Sequence, residues 1–233
     1  MGGPPAKLSF LNSPYGSQKT PEEIAAIEKR QAEYEQTRRQ REDEMRGKKI
    51  CDLFEVAGTS KRHHVKKLEE LQKHQNWASA YQRACEIIDH GEMLVLLGTL
   101  GNGKTQMGVQ LIRRACVSLR NCMYLRCREV GMELRKCYGS RAEGISERKA
   151  IAAFCRPDLL VLDECQEKAD TEWEQRSLTL ILDKRYGDMK PTVLIANGNE
   201  NDLPRILGRS ASDRIQEGGG VLLFNWESFR RKR

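Results

Sequence analysis

The sequence predicts an α/β fold: a five-stranded parallel sheet flanked by helices, preceded by a small helical N-terminal region. Two observations set the class. From Met93 onward, short apolar runs of strand length alternate with amphipathic stretches of helix length, the pattern of parallel strands joined by crossover helices. A glycine-rich segment, Gly98-Thr99-Leu100-Gly101-Asn102-Gly103-Lys104-Thr105, falls where the first of these strands gives way to the first of these helices. The length of 233 residues fits one domain of ordinary size with an extension.

Taken in order, residues 1–20 are rich in Gly, Pro and Ser and read as a flexible arm. Thr20-Pro21-Glu22-Glu23 spells a helix start: a capping hydroxyl, proline in the first turn, then acids favoured by the helix dipole. This helix is expected to reach Arg46, with Gly47 stopping it. Its apolar residues are sparse (Ile24, Ile27, Tyr34, Met45), so it is either a solvated rod or an element that docks on a partner. Residues 60–90 read as helical again. Val65, Leu68 and Leu71 share one face, and Trp77, Ala80, Tyr81, Ala84, Ile87 and Ile88 form a stronger stripe that Gly91 ends. Strands follow at Met93–Gly98, Cys122–Arg126, Leu159–Asp163, Val193–Asn197 and Val221–Phe224, with helices near 104–118, 128–138, 145–154, 172–186 and 201–216. The organisation expected is an arm over 1–20, a helical region over 21–75 that docks on a partner, and a nucleotide-binding domain over 76–233.

Composition narrows the class. Forty Lys+Arg against 33 Asp+Glu give a formal charge of +7, suited to a polyanionic partner. Mean hydropathy is −0.66, and the longest apolar run, Met93–Leu97, is far short of the roughly 20 residues that span a bilayer. The first residues lack the basic-then-apolar layout of a secretory signal, so a cytoplasmic location is expected. None of the eight cysteines forms a C-x-x-C pair, and they are expected to be reduced thiols. Cys51 with His63, His64 and His74 is too poor a set for zinc, so the only metal expected is one brought by a nucleotide.

Gly98–Thr105 fits G-x-x-x-x-G-K-[ST] at every fixed position. Glycines allow the main chain to approach a polyphosphate, successive N–H groups and a helix N-terminus face the anion, Lys104 reaches the terminal phosphates, and Thr105 ligates Mg²⁺. Leu159-Leu160-Val161-Leu162-Asp163-Glu164 then gives a buried strand ending in two carboxylates. Asp163 is placed to hold the Mg²⁺ that accompanies ATP, and Glu164 to polarise the attacking water. A strand between the two motifs, together with Glu164, points to the hydrolytic branch of such proteins. Asn197, closing the next strand, is positioned to sense the γ-phosphate, or else is a turn residue before Gly198.

These segments, with Asp213-Arg214 and the closing Phe224-Asn225-Trp226-Glu227-Ser228-Phe229-Arg230, resemble the AAA+ helicase loaders of the DnaC, DnaI and IstB family over about residues 77–233. The resemblance implies an AAA+ ATPase that binds a hexameric replicative helicase of the DnaB type and single-stranded DNA, and that self-associates through its ATP sites. It also implies an arginine finger at Arg214, with Arg209 competing, and a second sensor arginine at Arg230, with Arg231 competing. Aligned DNA contacts fall on Arg135, Tyr138, Thr171 and Trp173, a cation and aromatics of the right kind, although helix packing explains the same residues. The N-terminal region carries no visible match. Two other functions fit: an IstB-like ATPase assisting a transposase, and a DNA-binding adaptor that binds ATP as a switch without hydrolysing it.

Overall fold

In the computed structural model, the described residues are 21–139, 147–167, 171–217 and 219–229, with side chains 137–139 excluded. Arg230 therefore lies outside them. The chain divides at Gly47/Lys48 into two compact units. The first contains most of helix α1 (Pro21–Val56), none of whose residues is buried.

Gly47 does not stop α1. Its Cα faces open space, so the helix carries it at a propensity cost of about 1 kcal/mol. The helix continues because Ile50, Leu53 and Phe54 further along pack against the core of the second unit. Residues 48–75 thus contribute to that core, which also buries Ala57 and Leu71. The apolar stripe of 60–90 divides into a 3₁₀ turn at Lys61–His63, α2 (Leu68–Gln72) and α3 (Gln75–Asp89).

The second unit is a three-layer sandwich. Its strands are β1 (Met93–Gly98), β2 (Cys122–Arg126), β3 (Leu159–Asp163), β4 (Thr192–Asn197) and β5 (Gly220–Phe224), close to the predicted runs. They lie in the order β2-β3-β4-β1-β5, every neighbouring pair parallel. The interiors of the three central strands are apolar because both faces are covered, with polar residues only at their ends (Asp163, Thr192 and Asn197). Alternation sorts them: Val95, Leu97, Leu160, Leu162, Leu194 and Ala196 enter one core, while Leu94, Leu96, Val161, Val193 and Ile195 enter the other.

One face carries α5 (Cys127–Gly139), α6 (Glu147–Cys155), α7 (Glu172–Gly187), α8 (Leu203–Leu207) and α9 (Arg209–Glu217). The other carries α3, α4 (Lys104–Val117) and the segment after β5. The single helix expected over 201–216 is divided: a 3₁₀ turn at Glu200–Asp202 leads into α8, and Gly208, at φ +88°, breaks the chain before α9. Placing β4 between β1 and β3 brings the carboxyl ends of all three strands to one edge, where a parallel sheet presents its ligand site.

Candidate nucleotide site

At that edge lies a cavity of about 880 Å³, lined by the phosphate loop, the ends of β2, β3 and β4, and residues from the 58–66 segment. The loop starts at Gly98, the last residue of β1, with φ +148°; a Cβ there would lie 2.3 Å from the Phe224 carbonyl oxygen of the neighbouring strand. Gly103 caps α4 with φ +89°, and a Cβ there would be 3.0 Å from the Phe229 ring. Both positions exclude other residues, which is the local reason for the glycine spacing.

The segment after β5 supports the loop from behind. The Asn102 side-chain amide donates to the carbonyl of Phe224 at 3.1 Å and to that of Trp226, and the Trp226 indole donates back to the Asn102 carbonyl at 3.1 Å. Phe229 N–H donates to Gly101 O at 3.0 Å, and Trp77 Nε1–H to Gly103 O at 3.3 Å. Thr99 Oγ1 donates to Asn102 Oδ1 at 3.2 Å. The Phe-Asn-Trp-Glu-Ser-Phe stretch thus braces the loop, a role that sequence reading did not assign.

Lys104 begins α4 and is buried; its ammonium donates to the carbonyls of Gly98 (3.1 Å) and Thr99 (2.5 Å). Thr105 Oγ1 donates to Asp163 Oδ2 at 2.8 Å, so the two residues predicted to hold Mg²⁺ converge in the cavity. A hydroxyl beside a carboxylate is a hard-oxygen donor set that fits Mg²⁺, and the adjacent loop suits the phosphates that complete such a site. Glu164 adopts a left-handed backbone (φ +56°), which costs a residue bearing a Cβ about 1–2 kcal/mol. In that conformation its N–H donates to Asp163 Oδ1 at 2.8 Å, and its side chain lines the cavity. Asn197 also lines the cavity, and its N–H donates to Gln166 Oε1 at 2.9 Å. Leu100 and Gly101 complete the loop wall.

Three groups in this wall were missed. Arg126 Nε lies 3.4 Å from Glu164 Oε2, and Tyr124 OH donates to Asp163 Oδ2 at 2.6 Å, so the edge strand grips both acids. Burial, reinforced by the Asp163 charge, pushes the Tyr124 phenol well above its ordinary pKa and keeps it protonated. Arg62, His63 and Lys66 form the wall contributed by the 58–66 segment. Alternation within β2 was the available signal for Tyr124 and Arg126.

The remaining predicted residues lie elsewhere. Arg214, on α9, does not line the cavity of its own chain; it pairs with Asp183 of α7, donates to Ser210 Oγ at 3.0 Å, and lies over the Tyr186 ring. Arg135, Thr171 and Trp173 come together around α7. The buried Glu174 carboxylate receives Arg135 (2.7 Å) and the Thr171 hydroxyl (2.8 Å), and the half-buried Trp173 indole donates to Glu147 at 3.2 Å. Each of the three therefore has a partner between helices α5, α6 and α7. The Tyr138 side chain, like Arg230, is outside the described residues.

The model of the IstB-like ATP binding protein family matches residues 32–232. The chain belongs to this family. Among its relatives, the replicative helicase loader DnaC of Escherichia coli K12 is 24% identical over 218 residues, covering 91% of this chain and 87% of that one. A crystal structure of the DnaC helicase loader superposes with a TM-score of 0.56 at 19% identity, over 70% of this chain and 99% of that one. The replication initiator DnaA bound to AMPPCP and single-stranded DNA gives 0.55 at 16% identity, over 66% of this chain and 46% of that one. The fold is that of the AAA+ proteins, with the phosphate loop and paired acids of this family member at its ligand edge. Among the described residues no helix is long and apolar enough to cross a membrane.

Proposed function

We propose that the protein is an ATP-dependent helicase loader: it hydrolyses ATP with Mg²⁺, binds a hexameric DnaB-type replicative helicase and single-stranded DNA, and places the helicase on DNA in the cytoplasm. The observation that carries the reading is the meeting of Lys104, Thr105, Asp163, Glu164 and Asn197 in one cavity of a chain whose family relatives include helicase loaders. Thr105 and Asp163 would hold a Mg²⁺, which when bound would neutralise charge on the phosphates. The chain's own groups do the rest: the loop amides and Lys104 hold the phosphates, Glu164 orients the water, and Asn197 reads the γ-phosphate. Arg126, 3.4 Å from the Glu164 carboxylate, helps hold it at the cavity wall.

In this reading, assembled subunits complete one another's sites through Arg214, which leaves Asp183 to do so. Arg214→Ala is expected to bind ATP with unchanged affinity and to lose at least about tenfold of the turnover stimulated by assembly on DNA, since an arginine supplied in trans contributes on that scale or more. Unchanged stimulated turnover in a steady-state phosphate-release assay would move the finger elsewhere, with Arg209 the competing candidate, or dismiss it. Arg230 serves in the same reading as the sensor from its own chain. Arg135, Tyr138, Thr171 and Trp173 serve as the strand-binding face, with Arg135 and Thr171 presenting exposed surface to it.

The helicase contact is assigned to the N-terminal helix. Ile27, Tyr34 and Met45 are spaced seven and eleven residues apart, which puts them on one face of α1, and all three are exposed. Co-purification with a replicative helicase, with and without ATP, tests the whole proposal. The double variant Ile27→Asp/Tyr34→Asp is expected to reduce helicase recovery at least about tenfold while leaving ATP affinity intact, the loss of two apolar anchors. Recovery equal to wild type would dismiss α1 as the docking element. The family's IstB description favours one second reading, an ATPase assisting a transposase. Stimulation of a transposase with no helicase recovered would select it.

A further inference from the structure

β2 is an edge strand, and its chemistry lies on one face. Tyr124 and Arg126 are two residues apart, so both side chains leave the strand on the same side, and both line the nucleotide cavity. The register places Arg126 opposite Asp163 and Tyr124 opposite Val161 on β3. From there the Tyr124 hydroxyl reaches forward to Asp163 Oδ2 at 2.6 Å. The same oxygen takes the Thr105 hydroxyl at 2.8 Å, and Oδ1 takes the Glu164 N–H at 2.8 Å.

The carboxylate is therefore held from three directions. Thr105 and the Glu164 amide belong to the phosphate loop and to the acid's own strand end. Tyr124 is the third holder, and the only one of the three brought by another strand. An O–H donor 2.6 Å from a carboxylate lies in the short range of charge-assisted hydrogen bonds.

Tyr124 is itself pinned. Its N–H would be free on an edge strand, but it donates to the Ala57 carbonyl at 2.7 Å. On the same edge Gly58, at φ +84°, comes so close that a Cβ would stand 3.0 Å from the Tyr124 carbonyl oxygen. Ala57 is buried, and it follows directly on the end of α1. The backbone that carries the phenol is thus fixed beside the acid.

We propose that Tyr124 is a positioning residue for the divalent ion: its hydroxyl fixes the orientation of the Asp163 carboxylate that, with Thr105, would take the Mg²⁺ accompanying the nucleotide. The inference rests on the reading of the cavity as an ATP·Mg²⁺ site. It adds a residue that neither the phosphate-loop pattern nor the paired acids contain. Partners of metal ligands typically change metal affinity by about ten- to a hundredfold when removed.

The test uses the full chain and Tyr124→Phe, which keeps the ring and removes only the donor. Binding of a fluorescent ATP analogue is measured in EDTA and over a Mn²⁺ titration, and bound Mn²⁺ is counted by electron paramagnetic resonance. The expected result is a Mn²⁺ midpoint raised about tenfold, with metal-free nucleotide affinity and melting temperature close to wild type. A Mn²⁺ midpoint equal to wild type overturns the inference. So does equal weakening with and without metal, because Tyr124 would then shape the loop and not the ion site. A wild type that binds no nucleotide overturns the ATP reading and this inference with it. A wild type that binds both nucleotide and Mn²⁺, beside an identical Phe variant, overturns this inference alone.

Discussion

Lys104→Ala is expected to lose ATP binding by at least about a hundredfold while remaining folded. The lysine is 6% exposed, at the first position of α4, and its ammonium faces the carbonyls of Gly98 and Thr99 across the loop. A charge-assisted contact to phosphate contributes about 1.5–3 kcal/mol, and a lysine that reaches two phosphates forfeits about two of them, which is at least a hundredfold in affinity. Fold stability moves little by comparison. A buried cation at a helix N-terminus opposes the helix dipole, and alanine is the better helix former, so the lost bonds to the two carbonyls are largely offset. Calorimetric titration with ATP·Mg²⁺ beside a thermal melt separates the two effects. A normal dissociation constant in the variant would contradict the assignment of the phosphate loop, and with it the whole ATP reading. A collapsed melt would instead mean that Lys104 is a structural cation.

The parts of this site that could be read in the chain are those whose chemistry is local. Gly98–Thr105 is contiguous, so the turn, the helix start and the anion-facing amides are all specified within eight residues. Asp163 and Glu164 end a run that only a strand covered on both faces would have. The long-range parts could not be read this way. Asn102 meets Phe224 and Trp226 across more than 120 residues of chain, and nothing near Asn102 announces that its amide will brace the loop. Tyr124 looks like an ordinary strand aromatic until the sheet order places β2 beside β3.

Two glycines make the same point about helices. Gly47 sits on an exposed helix whose next turn docks Ile50, Leu53 and Phe54, so packing overrides its poor propensity. Gly208 breaks its helix because the chain takes φ +88° there, between Leu207 and Ala211, both buried in the core. Local composition cannot distinguish these two outcomes; the tertiary contacts on either side decide them.

The largest expected effect on stability lies at the opposite edge of the sheet, at Arg185. This arginine, near the end of α7, is 0% exposed, and among the described residues no acid is bonded to it. Its guanidinium donates instead to Thr192 Oγ1 (2.8 Å) and to the carbonyls of Phe154 (3.2 Å), Pro157 (2.8 Å) and Pro191 (2.8 Å). It thereby ties α7 to the end of α6 and to the starts of β3 and β4. Burial lowers its pKa to about 10, so the group remains charged throughout the physiological range. A base whose folded pKa lies below its unfolded value carries a constant penalty while protonated, relieved only as pH rises above about 10. No pH dependence of stability near neutrality is therefore expected from it.

Arg185→Ala opens a cavity and leaves three buried carbonyls without this donor, for a cost of about 3–5 kcal/mol. In a unit of this size that lowers the melting temperature by roughly 10 °C. Arg185→Met separates the two contributions, because it refills most of the volume without supplying donors. If bonding dominates, Met melts nearly as low as Ala; a Met variant as stable as wild type would show that the guanidinium only fills space. In either variant ATP affinity well below the melting temperature is expected to match wild type, since the network lies at the amino ends of the strands and the cavity at their carboxyl ends.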